Sequence, residues 1–228
     1  MSDWLGDSDG PMGDHGAFMR SELRVPRADL AAHIRQLDGP RNLIAIVGAP
    51  GAGKSHLAEE LAEALNAHAP GSAAILPMDG FHMSNEELDA RGLRHVKGAP
   101  ETFDVEGVFV LLSQLKTTPG AIPVPTFDRE ADRVVPDGAT IPEAARYILV
   151  EGNYLLLTRP GWRDLYPLFD LSIRLDVPEE ELRARLTRRW ENLDLSADEV
   201  TRRVEQNDLP NGRTMLRENR GADFVMSD

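Results

Sequence analysis

The sequence predicts an α/β domain in three layers, a mainly parallel five-stranded sheet with helices on both faces. Two observations carry that expectation. Short apolar runs of strand length alternate with longer stretches whose apolar residues recur at helical spacing, as in parallel sheets joined by crossover helices. A glycine-rich turn, Gly48-Ala49-Pro50-Gly51-Ala52-Gly53-Lys54-Ser55, also stands between one such run and an amphipathic helix. The 228 residues suffice for one domain with a sizeable core, and no internal repeat interrupts them. Residues 21–228 are expected to form that domain. Residues 1–20, rich in Gly and Asp, read as a loose leader or an arm that orders on contact.

The elements follow in order. Asp29–Leu37 places Leu30, Ile34 and Leu37 at helical spacing, with Asp29 as N-cap. Gly39-Pro40 breaks the chain, and Asn42–Val47 reads as a buried strand. Ser55–Asn66 carries Leu57, Leu61 and Leu65 on one stripe, and Ala73–Met78 is a second strand. Asp104–Lys116 is a helix capped by Asp104, with Val105, Val108, Phe109, Leu112 and Leu115 facing inward. Tyr147–Val150, Leu171–Leu175 and Ala222–Met226 supply the remaining strands. Pro178–Asn192 is a helix with Glu179, Glu180 and Glu181 in its first turn, where they suit the helix dipole. Its buried stripe is Leu182, Leu186, Trp190 and Leu193. A further helix runs from Ala197 to about Asn207 and ends in the turn Asn207-Asp208-Leu209-Pro210-Asn211-Gly212. Residues 190–212 read either as a mobile lid that excludes water or as a plain surface helix and turn.

Composition removes several function classes. With 38 acidic and 25 basic residues the net charge is −13, against the basic surface that nucleic acid or an anionic membrane requires. There is no cysteine, which excludes disulfides, thiolate chemistry and cysteine-ligated metals, and the six histidines lack zinc-site spacing. Leu43–Val47 and Tyr147–Leu157 are too short, or too interrupted by Glu151 and Asn153, to span a bilayer. No signal peptide precedes them. A cytoplasmic protein is expected, with neither nucleic acid nor membrane as partner and a homodimer left open.

The glycine-rich turn satisfies G-x-x-x-x-G-K-[ST] in the required strand–turn–helix context, which predicts the P-loop NTPase fold and ATP as ligand. Gly48, Ala49, Gly51, Ala52, Gly53, Lys54, Ser55 and His56 are its candidate ATP contacts. The glycines let successive N–H groups point into one concavity, and the following helix adds its positive end. Lys54 can reach the β- and γ-phosphates, and the Ser55 hydroxyl can ligate Mg²⁺. Ile148-Leu149-Val150-Glu151-Gly152 is an apolar strand ending in a carboxylate, placing Glu151 as a second Mg²⁺ ligand or as a plain strand-end acid. No Asn-Lys-x-Asp guanine reader is present, which counts against a GTPase switch.

Met78-Asp79-Gly80-Phe81-His82 closes the second strand, so Asp79 faces the same crevice, as a base for a substrate hydroxyl or as an ordinary turn residue before Gly. The helix at Pro178–Asn192 puts Arg185, Arg188 and Arg189 beside its buried stripe, where they could neutralise phosphate charge; Arg183 fits a solvated, carboxylate-paired face.

From Met78-Asp79-Gly80-Phe81 through Arg91-Gly92-Leu93, Lys97-Gly98-Ala99-Pro100-Glu101-Thr102-Phe103-Asp104, Glu151-Gly152 and Asp176-Val177-Pro178-Glu179, the chain resembles the phosphoribulokinase, uridine kinase and pantothenate kinase superfamily. The resemblance covers roughly residues 40 to 190 and implies a small-molecule kinase using ATP and Mg²⁺. It also implies Asp79 as base, Lys97 near the acceptor and Arg189 as a catalytic arginine. The segment Asn207–Gly212 is similar to a bacterial branch labelled fructose-transport-associated kinases, which implies a sugar acceptor.

Departures bear on the acceptor. Pro125-Thr126-Phe127-Asp128-Arg129-Glu130-Ala131-Asp132 stands where uridine kinases have Pro-x-Tyr-Asp-Phe-x-x-His, so the tyrosine hydroxyl and the histidine are missing. The Tyr-Ser-His of the pantothenate pattern falls on Phe127-Asp128-Arg129. A site that hydrogen-bonds its substrate discriminates through such groups. Phe81, His82, Lys97, Asp128, Arg129 and Asn153 remain as candidate substrate contacts, suited to the hydroxyls of a sugar or sugar-like small molecule. Pantothenate- or nucleoside-type kinase and a P-loop ATPase module are the alternatives.

Overall fold

Asn42–Val47 has no charged residue and is buried along its whole length, which marks it as the strand at the centre of a sheet covered on both faces. In the computed structural model, which describes residues 22 to 227, the strands are β1 (Leu23–Pro26), β2 (Asn42–Val47), β3 (Ala73–Pro77), β4 (Ile122–Asp128), β5 (Arg133–Ile141), β6 (Tyr147–Gly152), β7 (Leu171–Leu175) and β8 (Phe224–Ser227). The α-helices are α1 (Leu30–Ile34), α2 (Lys54–His68), α3 (Asn85–Ala90), α4 (Val105–Thr117), α5 (Glu179–Glu191), α6 (Ala197–Arg203) and α7 (Leu209–Glu218). The leader expected at residues 1–20 lies outside the described residues. None of the helices among the described residues is long and apolar enough to cross a membrane.

The central sheet has six strands, not five, in the order β1-β8-β7-β2-β6-β3, and every pairing in it is parallel. The extra strand is β1, four residues of which only Val25 is buried, too short and too exposed to show periodicity. Ile46 pairs with Glu151 and Pro77 with the same residue. The ends of β2, β6 and β3 therefore lie side by side, and the loops that follow them share one crevice.

Residues 118–146, for which the sequence pattern predicts no element, hold an antiparallel hairpin, β4–β5. Pro123 and Pro125 argue against a strand because they donate nothing to a ladder. They are tolerated here because the ladder has only two strands and is irregular between Val124 and Thr126. Asp128 accepts from the N–H groups of Glu130 and Ala131 and closes the hairpin turn. The hairpin lies against the residues after β3, where a Cβ at Gly80 would come 2.5 Å from the Pro125 carbonyl oxygen.

Three helical expectations need correction. Asp29 makes no capping bond and α1 begins after it, although Leu30 and Ile34 are buried as expected. On α4, Asp104 caps the helix through the Gly107 N–H at 2.9 Å. Phe109, however, is 41% exposed and Leu111 takes its place in the stripe. On α5, Leu182 and Leu186 are buried, whereas Leu193 lies beyond the helix end and is 60% exposed. The expected turn Asn207–Gly212 is helical: α6 runs through a π-helical turn, Val204–Asp208, directly into α7. Pro210 is the second residue of α7, directly after the π-helical turn.

Candidate active site

The loop from Gly48 to Ser55 joins β2 to α2. Gly51 and Gly53 have φ of 79° and 97°, left-handed values that a side chain disfavours. Gly48 is needed for space, since a Cβ there would lie 3.1 Å from the Ala52 Cβ and 3.3 Å from the Leu175 carbonyl. Ala49 and Ala52 are buried. Lys54 opens α2 as a buried residue, and its ammonium donates to the Ala49 carbonyl at 3.1 Å. Burial lowers the Lys54 pKa; the charges of Glu151 and Asp79 raise it, while Arg189 and Arg129 lower it again. All four groups therefore lie within electrostatic reach of the ammonium. The His56 side chain turns away to Glu60, at 3.2 Å, and is 69% exposed.

Ser55 donates to Glu151 Oε1 at 3.0 Å. Glu151 is 8% exposed at the end of β6, and burial pushes its pKa up, against the pull of the Lys54 charge. These two oxygens fit Mg²⁺, a hard cation that takes one or two protein oxygens and fills its octahedron with phosphate oxygens and water. Among the described residues no group of three or more His, Asp or Glu side chains could hold a metal, so a cation here would share the nucleotide's oxygens.

The acceptor-side candidates gather past the end of β3. Asp79 Oδ2 accepts from Arg129, at the hairpin tip, at 2.6 Å. Among the described residues Oδ1 of Asp79 has no hydrogen-bond partner. His82 stacks on Phe103 with centroids 4.1 Å apart and meets the Phe127 ring at 4.9 Å. Its Nδ1 is buried without a hydrogen-bond partner, and burial lowers its pKa from 6.5 to about 4. Lys97 donates to Asp132 at 2.6 Å and to Asn85 at 2.8 Å, with its ammonium 5.2 Å from the Phe127 centroid. Asp79, Lys97, Asp132 and Arg129 all bear on His82 electrostatically, so all four lie within electrostatic reach of the imidazole. His82 also lines a cleft of about 440 Å³, with Glu87, Arg91, Asp104 and the hairpin residue Val134.

Phe81 is buried and Asp128 is engaged in its own hairpin turn. Asn153 is half-buried next to Tyr154, whose hydroxyl donates to the Gly98 carbonyl at 2.7 Å. On α5, Arg183 is paired with Glu179 and Glu205. Arg185 donates to the Ala52 carbonyl of the loop at 3.2 Å and pairs with Glu181. Arg188 and Arg189 are exposed, and Arg189 makes no ion pair among the described residues. Sequence reasoning missed Asn85, Phe103, Tyr154 and Asn207 as neighbours of the Lys97 loop. Phe103 and Asn207 left a trace, inside the Lys97–Asp104 and Asn207–Gly212 segments.

A parallel sheet with a glycine loop running into α2, and Ser55 and Glu151 converging beyond it, defines a P-loop protein of the phosphotransfer class. The chain belongs to the Phosphoribulokinase / Uridine kinase family, which matches residues 43–211. A Schizosaccharomyces pombe protein named "Putative uridine kinase" is 36% identical, over 75% of this chain and 76% of that one. A pantothenate kinase of Shouchella clausii is 31% identical, over 61% of this chain and 46% of that one. Among solved structures, a "putative fructose transport system kinase" from Silicibacter sp. TM1040 is 43% identical. It covers 88% of this chain and 98% of that one, with a TM-score of 0.83. The chain is thus a small-molecule kinase, and kinases of this family use ATP with Mg²⁺.

Proposed function

We propose that the enzyme moves the γ-phosphate of ATP onto a hydroxyl of an uncharged, sugar-like acceptor. The observation that carries this reading is the pairing of charge around Asp79. Arg129 is taken by Asp79 and Lys97 by Asp132, so a carboxylate-bearing acceptor would have to break an ion pair before it found a cation. A hydroxyl-rich, neutral molecule needs no such exchange. It can donate to Asp79 and Asp132, accept from Lys97 or Asn85, and lay its C–H face on Phe127. The similarity to a kinase whose name refers to fructose transport points the same way.

In this reading each residue has a separate task. The loop N–H groups and Lys54 hold the β- and γ-phosphates, while Ser55 and Glu151 would hold Mg²⁺, which would supply charge neutralisation there. Asp79 Oδ1 orients the acceptor hydroxyl and takes its proton as the new O–P bond forms. The bond from the γ-phosphorus to the bridging oxygen breaks, and ADP leaves. Arg189 faces the charge that builds on the transferring group. His82, neutral at pH 7, adds no charge beside the acceptor.

The test is Mg²⁺- and ATP-dependent ADP release over a panel of sugars, polyols, nucleosides, pantothenate and glycerate, with Lys54→Ala as control. The reading expects stimulation by a neutral polyol or sugar that disappears in Lys54→Ala. Stimulation by pantothenate, glycerate or a nucleoside alone would overturn the acceptor. One rate whatever is added would indicate an ATPase module instead.

A further inference from the structure

The nucleotide side and the acceptor side of the crevice come from different parts of the chain, and one short segment touches both. Val204–Asp208 winds as a π-helical turn between α6 and α7. Such turns carry an extra residue in the helix and recur at functional sites. Here the turn sends Asp208 inward, where it is 9% exposed. Trp190 Nε1 donates to Asp208 Oδ2 at 2.7 Å. Trp190 directly follows Arg189 on α5, and its ring lies 5.3 Å from the Arg189 guanidinium and 4.6 Å from that of Arg203. The Arg189 charge acts on Asp208 and on Lys54 alike, so the guanidinium, beside Trp190, lies within electrostatic reach of both.

The turn is anchored at its other flank. Asn207 Nδ2 donates to the Lys97 carbonyl at 3.3 Å, and Asn211 Nδ2 to Asn207 Oδ1 at 3.2 Å. One turn on, a Cβ at Gly212 would come 3.1 Å from the Ala49 Cβ in the phosphate loop. The α6–α7 segment is therefore held against both the loop at residues 48–55 and the loop at residues 97–98. A carboxylate is an expensive group to bury unless a specific interaction is needed, because its desolvation is only partly recovered by pairing. An apolar pair at positions 190 and 208 would pack without that cost.

We propose that Asp208 is a positioning residue for phosphate binding: through Trp190, and through its own charge, it holds Arg189 toward the γ-phosphate end of the loop. Arg183 and Arg185 are fixed by carboxylates on the surface. Arg189 instead gets its direction from a carboxylate behind it, which leaves the donor edge of its guanidinium for the ligand. This rests on the reading of Lys54 and Arg189 as phosphate-binding.

The experiment is calorimetric titration of the full chain with Mg·ADP and with a Mg-bound non-hydrolysable ATP analogue, no acceptor being needed. Wild type should prefer the triphosphate. Asp208→Asn and Trp190→Phe should each reduce that preference about tenfold, the loss expected for one charge-assisted hydrogen bond, and leave ADP affinity nearly unchanged. Because the two act on one path, the double variant should lose little more than the larger single effect. Leu112→Ala, which opens a cavity in α4, lowers stability but should keep the wild-type preference; a shift there would reduce the Asp208 effect to general loosening and overturn the proposal. If Asp208→Asn fails to fold, Trp190→Phe decides alone. Lys54→Ala separates the two levels. If it binds both nucleotides as wild type does, the phosphate-loop reading fails. If it loses both while Asp208→Asn and Trp190→Phe keep the wild-type preference, the positioning role fails and the kinase reading stands.

Discussion

Replacing His82 by Gln should remove one identifiable component from the pH dependence of stability. His82 is held between Phe103 and Phe127, and burial lowers its pKa from 6.5 to about 4, with the charges of Asp79 and Asp132 opposing this and those of Lys97 and Arg129 adding to it. The folded protein thus binds fewer protons at this site than the unfolded chain between those two values. The sign follows: the stability contributed is fully present above 6.5 and is lost as pH falls toward 4. The shift of about 2.5 units sets a ceiling of about 3 kcal/mol, of which about 2 kcal/mol is gone by about pH 5. Glu151 works in the opposite direction. Burial raises its carboxyl, so its contribution is present at low pH and is lost as pH rises through the folded value. Only a comparison of variant with wild type isolates the histidine. Urea midpoints should be taken from about pH 7.5 down to about pH 4.5 for both proteins. His82→Gln should start lower, by about 1 kcal/mol for the lost ring contacts, and then decline less steeply, so that the two curves meet at about pH 6 and cross below it. Parallel curves would refute the reasoning and mean that solvent reaches the imidazole.

Three further outcomes follow from the site geometry. Asp79→Asn should lower acceptor-dependent turnover about 10²- to 10⁴-fold, the range for loss of a general base, with ADP affinity retained; turnover within a few-fold of wild type would remove Asp79 from the chemistry. Glu151→Gln should raise the Mg²⁺ concentration needed for tight nucleotide binding about 10- to 100-fold, read by ADP titrations at stepped Mg²⁺; an unchanged requirement would return Glu151 to a structural role. Gly80→Ala forces a Cβ to 2.5 Å from the Pro125 carbonyl oxygen, at a cost of about 1–3 kcal/mol. Tm should fall by several degrees, and an unchanged Tm would show that the hairpin is free to move off the turn.

The nucleotide side was legible in the sequence because it depends on local pattern. The loop needs glycine where φ is positive, at Gly51 and Gly53, and the strand before it needs an unbroken apolar run. Both are properties of adjacent residues. The acceptor side depends on what distant segments bring together, and adjacency says little about that. Arg129 and Asp79 are 50 residues apart in the chain, and Asn207 and Lys97 are 110 apart. The hairpin carrying Arg129 was hidden by Pro123 and Pro125, whose local preference is overridden because β4 needs donors only for β5. Asn207–Gly212 misled for a similar reason. Asn, Asp, Pro and Gly together spell a turn, yet the preceding helix supplies a continuous backbone, Pro210 occupies a first-turn position, and Gly212 is there for closeness to Ala49.

If Asp79 is the base, as proposed, its contact with Arg129 makes the hairpin part of the reaction centre rather than a wall beside it. One oxygen of Asp79 is covered by the guanidinium, which leaves a single oxygen for an incoming hydroxyl and so restricts the direction from which it approaches. The position of Arg129 is fixed by a turn that Asp128 closes and by β4 lying on Gly80. Asp132, four residues past Asp128, occupies Lys97 in turn. The hairpin tip therefore supplies a cation to the carboxylate at Asp79 and a carboxylate to the cation at Lys97. Relatives with a different residue at either position would present a different charge balance to the acceptor around the same phosphate loop. On the proposed reading, acceptor choice would be a property of the hairpin tip, while Glu151 and Asp79 would set the phosphate chemistry.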